Sequence, residues 1–186
     1  MLGSVRVVVP PTVEPVLPEE VKLFIRQFDT SLDSVLAMLI PLIRGLCEDY
    51  VNRAAMLQTL EYALNEVPTD WVALPRPPFA SLVSVIFYDS DGNPTTITNS
   101  KFDVVTQGAY TAIKMKDDEE WPSDAARSVS AVVIQYKAGS SVVTDIPQSF
   151  RLGILTAIVA CIDDPGHVDL SESAMRVLDS IREVPI

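Results

Sequence analysis

Residues 74–92 read Leu-Pro-Arg-Pro-Pro-Phe-Ala-Ser-Leu-Val-Ser-Val-Ile-Phe-Tyr-Asp-Ser-Asp-Gly, and this stretch decides the fold. Prolines 75, 77 and 78 exclude a helix around Arg76, because each fixes φ and removes a backbone donor. Val83, Val85 and Phe87 then alternate with Ser84, Ile86 and Tyr88, the period-two signature of a strand, and Asp91-Gly92 supplies a hairpin-type turn. The proline run reads as a rigid entry into that strand, with a polyproline ligand as the alternative. Downstream, short strands are expected around 95–98, 102–106, 110–115 and 130–137. Together they predict an antiparallel sheet over 67–144, interrupted by Asp117-Asp118-Glu119-Glu120.

On either side the period changes to that of helices. Leu32, Val35, Leu36, Leu39, Ile40, Ile43, Leu46, Cys47 and Tyr50 recur at helical spacing. Thr30 with Asp33 resembles a capping box at the start, and Asn52 suits a left-handed stop. Pro41 inside the run predicts a kink. A shorter helix is expected from Pro18 to Phe28, with Val21, Phe24, Ile25 and Phe28 on one stripe, while 54–66 fit either further helical turns or the start of a strand. After Pro147, residues Phe150, Ile154, Ala157, Ile158 and Cys161 form another helical register, broken at Asp164-Pro165-Gly166. The expected architecture is therefore α+β. A helical core (18–66 and 145–164), made of a long kinked helix and a C-terminal helix, carries the inserted sheet. An extended arm (1–17) and an amphipathic tail (165–186) flank it. The tail presents Leu170, Val177, Leu178 and Ile181 on one face, which suits either a partner surface or packing on its own subunit.

Composition narrows function by exclusion. Among 186 residues, 48% are hydrophobic and 21% charged, which excludes a disordered chain. A net charge of −11 argues against a nucleic-acid grip spread over the surface. Two cysteines make no disulfide scaffold. The longest apolar runs, Val35 to Ile43 and Ile154 to Ile162, are about half the ~20 residues a bilayer crossing needs, so no membrane contact is expected. The short apolar start, halted by Pro10 and Pro11, does not read as an export signal, and the chain is expected in the cytoplasm where it is made.

The residues do not assemble a reactive centre. His167 is the only histidine and has no sequence partner, so it reads as a surface residue. Cys47 and Cys161 fall on apolar helix faces and read as core. Asp117, Asp118, Glu119 and Glu120 offer oxygens to a divalent cation, yet adjacent acids in a loop need not converge, and a solvated charge run is the expectation. Asp163-Asp164 reads as a helix end. Neither a phosphate-binding glycine loop nor Gly-x-Ser-x-Gly is present. No catalytic residue, metal or cofactor is expected.

An ordered set of motifs carries a positive reading. It runs from Pro10-Pro11-Thr12 and Glu14-Pro15-Val16, through Glu48-Asp49-Tyr50-Val51-Asn52-Arg53-Ala54 and Gln58-Thr59, to Leu74-Pro75-Arg76-Pro77-Pro78-Phe79. Tyr88-Asp89, Asp91-Gly92-Asn93, Phe102-Asp103-Val104, Trp121-Pro122, Ala138-Gly139 and Ile146-Pro147 follow. This set, spanning about residues 7–162, resembles the head–tail connector (head-completion adaptor) family of long-tailed double-stranded DNA bacteriophages. The resemblance implies a non-enzymatic virion protein of the neck. Such a protein forms a homo-oligomeric ring, a dodecamer, that docks on the portal protein and provides the platform for a stopper or tail-completion protein. Double-stranded DNA would pass non-specifically through a central channel, for which an acidic wall is suited because it repels phosphates. The tail face at Leu170, Val177, Leu178 and Ile181 would then be the candidate docking surface. A stopper or terminator is the second reading, and a small metal-binding enzyme domain using Asp117–Glu120 the third.

Overall fold

The computed structural model describes residues 3–183 apart from 109, 123 and 167. The chain divides into two compact units. The first holds the residues up to Pro11 together with Leu57–Gly139, and the second holds Thr12–Met56 and the chain from Ser140 onward.

The first unit is built from two antiparallel sheets. One runs in the order β1-β2-β8-β4-β5, from β1 (Gly3–Val9), β2 (Gln58–Leu64), β8 (Val132–Ala138), β4 (Phe79–Tyr88) and β5 (Pro94–Ile97). The other pairs β3 (Val72–Ala73), β7 (Tyr110–Met115) and β6 (Phe102–Gln107) in the order β3-β7-β6. A single continuous sheet was the simpler expectation; instead Val72, Phe102 and Ile113 of the small sheet and Val85 and Ile134 of the large one line one cavity. Two half-apolar sheets bury those faces against each other.

The stretch assigned at sequence level to the helical core through residue 66 needs correcting, because 58–64 is a strand. Its residues alternate, with Gln58, Leu60 and Leu64 buried. Leu60 stands opposite Val7 on one side and Tyr136 on the other. Pairing along both edges outweighs the helix preference of Glu-Tyr-Ala-Leu. The N-terminal segment is accordingly an edge strand. Across it Arg6 reaches Glu61 at 2.7 Å, and Gln135 donates to the same carboxylate at 3.0 Å. Burial pushes Glu61 up, but those two hydrogen bonds and the Arg6 charge outweigh it and leave the carboxyl below its ordinary range.

The proline segment is the rigid entry. Arg76 takes a left-handed conformation (φ 56°), Tyr136 donates to the Pro75 carbonyl at 2.5 Å, and the Gly139 N–H reaches Pro78 at 2.8 Å. At the following hairpin Asp89 accepts the N–H groups of Asp91 and Asn93 at 2.9 and 2.8 Å, and Gly92 supplies φ 87°.

The second unit packs α1 (Pro18–Ile25), α2 (Asp33–Val51), α3 (Gln148–Asp163) and α4 (Glu172–Leu178) around one core. Helix α1 stops at Ile25, short of the expected Phe28, because Arg26 enters the left-handed region (φ 59°). Asp29 then closes the turn by accepting from Ser31 and Gln27. Of the expected stripe on this helix only Val21 is buried. Thr30 does not cap α2 with its side chain: its carbonyl accepts the Asp33 N–H at 3.2 Å, while the Asp33 carboxylate pairs with Lys22. Pro41 lies inside α2 without ending it, and Asn52 terminates it in the left-handed region (φ 52°).

Candidate interaction surfaces

The tail face was the first candidate for docking. Ser171 caps α4 by accepting the Ala174 N–H at 3.3 Å, which sets the helix so that Ala174 and Leu178 point into the core. Leu178 is fully buried, and Leu170 and Ile181 pack against the same core, with Val177 half-buried. Close approach is possible because α3 carries Gly153 beneath: a Cβ there would lie 2.6 Å from Leu178 Cδ2. Further straps hold the segment. Tyr50 donates to Asp179 at 2.6 Å, the Arg182 guanidinium lies 4.7 Å over the Tyr50 ring, and the Glu183 N–H reaches the Val51 carbonyl at 2.9 Å. Of the two uses the sequence left open for this face, Leu170, Leu178 and Ile181 are engaged in packing on their own subunit, while Val177 is half-buried outside that core.

The acidic loop is engaged with lysines. Asp117 pairs with Lys114 at 2.8 Å and Glu119 with Lys101 at 2.5 Å, while Asp118 and Glu120 are exposed. The hydrogen bond from Lys114 and then its charge hold Asp117 below the usual carboxylate range. Among the described residues no group of three or more His, Cys, Asp or Glu side chains converges to hold a metal, and no helix is long and apolar enough to cross a membrane. Cys47 is buried, and burial followed by the nearby Glu48 charge pushes its thiol up to about 12. Cys161 is also buried, and its thiol is raised for the same first reason. His167 lies outside the described residues.

Sequence reasoning missed a buried ionic cluster on α2. Glu48 is only 1% exposed, yet its two carboxylate oxygens are occupied by Arg44 at 2.8 Å and by the Ala55 N–H at 2.8 Å. Arg44 in turn reaches Glu14 at 2.7 Å. The cluster ties the end of α2 to the segment that follows its left-handed stop. The signal was present: Arg44 and Glu48 stand four apart inside the apolar stripe of Ile40, Ile43, Cys47 and Val51.

The largest exposed apolar side chains of this unit also escaped notice as surface. Leu23, Phe24 and Phe28 follow from α1, with Phe28 76% exposed; Val35, Met38 and Leu42 line α2, with Met38 72% exposed. Their clue was an apolar arc on α2 wider than one buried face needs.

No described protein family matches the sequence, and no curated protein matches it. Solved structures do share the fold over the whole length. A chain of the virion of the native gene transfer agent particle superposes with a TM-score of 0.74 at 16% identity, covering 98% of this chain and 96% of that one. A chain from the neck of the empty particle, computed with C6 symmetry, gives 0.72 at 19% identity over 100% and 97%. One from the neck of the native particle, computed with C12 symmetry, gives 0.67 at 19% identity over the same shares. The chain is similar to these proteins in fold.

Proposed function

We propose that this chain is a structural, non-enzymatic subunit of the neck of a phage-like particle. There it acts as a head–tail adaptor, forming a ring that docks on the portal, receives the stopper or tail-completion protein, and lets double-stranded DNA pass. The observation that carries the reading is the end-to-end fold match with chains from particle necks. A twelve-fold ring is the stoichiometry favoured by the neck computed with C12 symmetry.

The test is to delete the protein during particle production and image the products. The adaptor reading expects filled heads and separate tails, with heads that lose DNA on storage. Intact particles with joined tails would overturn it.

A further inference from the structure

Two helices of the second unit carry more apolar surface than their own core uses. Helix α2 buries Leu36, Ile40, Ile43, Cys47 and Val51. At about 100° per residue, Val35, Met38 and Leu42 fall on the opposite side, and all three are exposed. Between Asp33 and Asp49 its only charged side chains are Arg44 and Glu48, both turned inward. Helix α3 repeats the pattern. It buries Phe150, Gly153, Ile154, Ala157, Ile158 and Cys161, and it has no charged residue between Arg151 and Asp163. Its outer stripe is Leu152, 41% exposed, with Thr156 and Val159 half-buried. The Thr156 hydroxyl is satisfied within the helix, donating to the Leu152 carbonyl at 2.8 Å, so that stripe asks little of water.

A helix facing solvent normally spaces charged residues along its outer side, and one apolar all round is normally covered. The absence of outward cations on both stripes excludes the phosphates of nucleic acid and of lipid head groups as the cover. A second copy fits. Each stripe lies on the side of its helix away from the shared core, so one chain offers two distinct apolar faces. Head-to-tail contact that closes into a ring needs two such faces, whereas a single face would stop at a two-fold dimer. Copies of net charge −11 also repel, which favours a contact confined to uncharged surface.

We propose that, within the ring inferred above and resting on that reading, neighbouring copies meet with the α2 outer stripe of one against the α3 outer stripe of the next.

The experiment places Met38→Cys and Leu152→Cys in one chain, assembles it into particles, and treats the purified particles with a short bis-maleimide. Both sites are exposed, and an unchanged melting temperature of the free subunit checks the fold. The expected result is a ladder of covalent multimers on a denaturing gel, and only uncrosslinked subunit from either single variant. The contact is overturned if the double variant sits in the neck ring yet yields no ladder. It is equally overturned if a single variant gives dimers, which would mean like faces meet. Failure of the adaptor reading looks different: the unsubstituted chain would be missing from the neck altogether.

Discussion

Helix α4 and helices α2 and α3 all present apolar stripes in the sequence, but they spend them differently. In α4 the apolar side is closed on the core through Ala174 and Leu178, and the outward side carries Glu172, Arg176 and, at its C-terminal cap, Asp179. That is the finished surface of an element with one neighbour. In α2 and α3 the inner stripe is closed in the same way, but the outer one is partly open and carries no charge until the last turn, where Asp49 and Asp163 fall on it. Amphipathicity therefore marks a helix that is satisfied at home. A second apolar side, opposite the first, marks one that expects company.

Inner-side substitutions should give the largest effects. Glu48→Ala removes one carboxylate and leaves Arg44 in a nearly dry site and the Ala55 N–H unpaired. Losing one member of a buried ion pair costs about 3–5 kcal/mol, so chemical denaturation should show a loss of that order. A loss under about 1 kcal/mol, the worth of a surface pair, would mean the α2 end is held by its apolar contacts alone.

Next in size is the α3–α4 contact. Gly153→Val would drive side-chain atoms into Leu178, and overpacking of this kind costs about 1–3 kcal/mol. Thermal unfolding should register it, and pairing it with Leu178→Ala should recover part of the loss because the two share one volume. Independent, additive losses would argue that α4 does not rest on Gly153.

These two sites also show where the sequence was legible. Helix α2 could be read because nine apolar residues share one period and Asn52 supplies its stop. The β4–β5 hairpin could be read because Asp89, Asp91 and Gly92 act within a few residues of one another. Strand β2 was left open between helix and strand: its partners contact it through residues 55 and 74 positions away, as in the Arg6–Glu61 and Gln135–Glu61 bonds. Local preference there points to helix, and only pairing at long range overrides it. The tail face was left open for another reason. Its apolar side was read correctly, but periodicity says that a face is covered and never by whom; Gly153, the residue that admits Leu178, carries no side chain to advertise the contact. Of the outer stripes, the sequence reading counted only Val35 within the α2 register; Met38, Leu42 and Leu152 fall off the periods of the buried faces.

A smaller effect tests the strap that holds the segment after α4. The hydrogen bond to Asp179 comes first among the causes that hold the Tyr50 phenol above its ordinary value of about 10. The raised value means the folded state favours the protonated phenol. Its stabilising contribution is complete below the ordinary tyrosine range and disappears as pH rises through the higher folded value. Hydrogen exchange at 179–183 should therefore accelerate in that alkaline window, and Tyr50→Phe should exchange faster at neutral pH and lose the alkaline step. An alkaline step that survives in Tyr50→Phe would assign it to another group.

The smallest effect belongs to the outer stripe, and its smallness is what gives it value. Met38→Gln and Leu42→Gln replace exposed apolar side chains that touch little of their own subunit, and surface changes of this kind usually fall within about 0.5 kcal/mol. Measured on dilute, monomeric protein, the unfolding midpoint should therefore barely move, although the same exchange at Leu36, fully buried two positions before Met38, would be severe. A conserved midpoint separates the two sides of α2 energetically: one side stabilises the subunit, and the other contributes nothing until something covers it. A marked loss in the monomer would instead mean that the outer stripe already has a neighbour within the chain, and α2 would then belong with α4 as a helix satisfied at home.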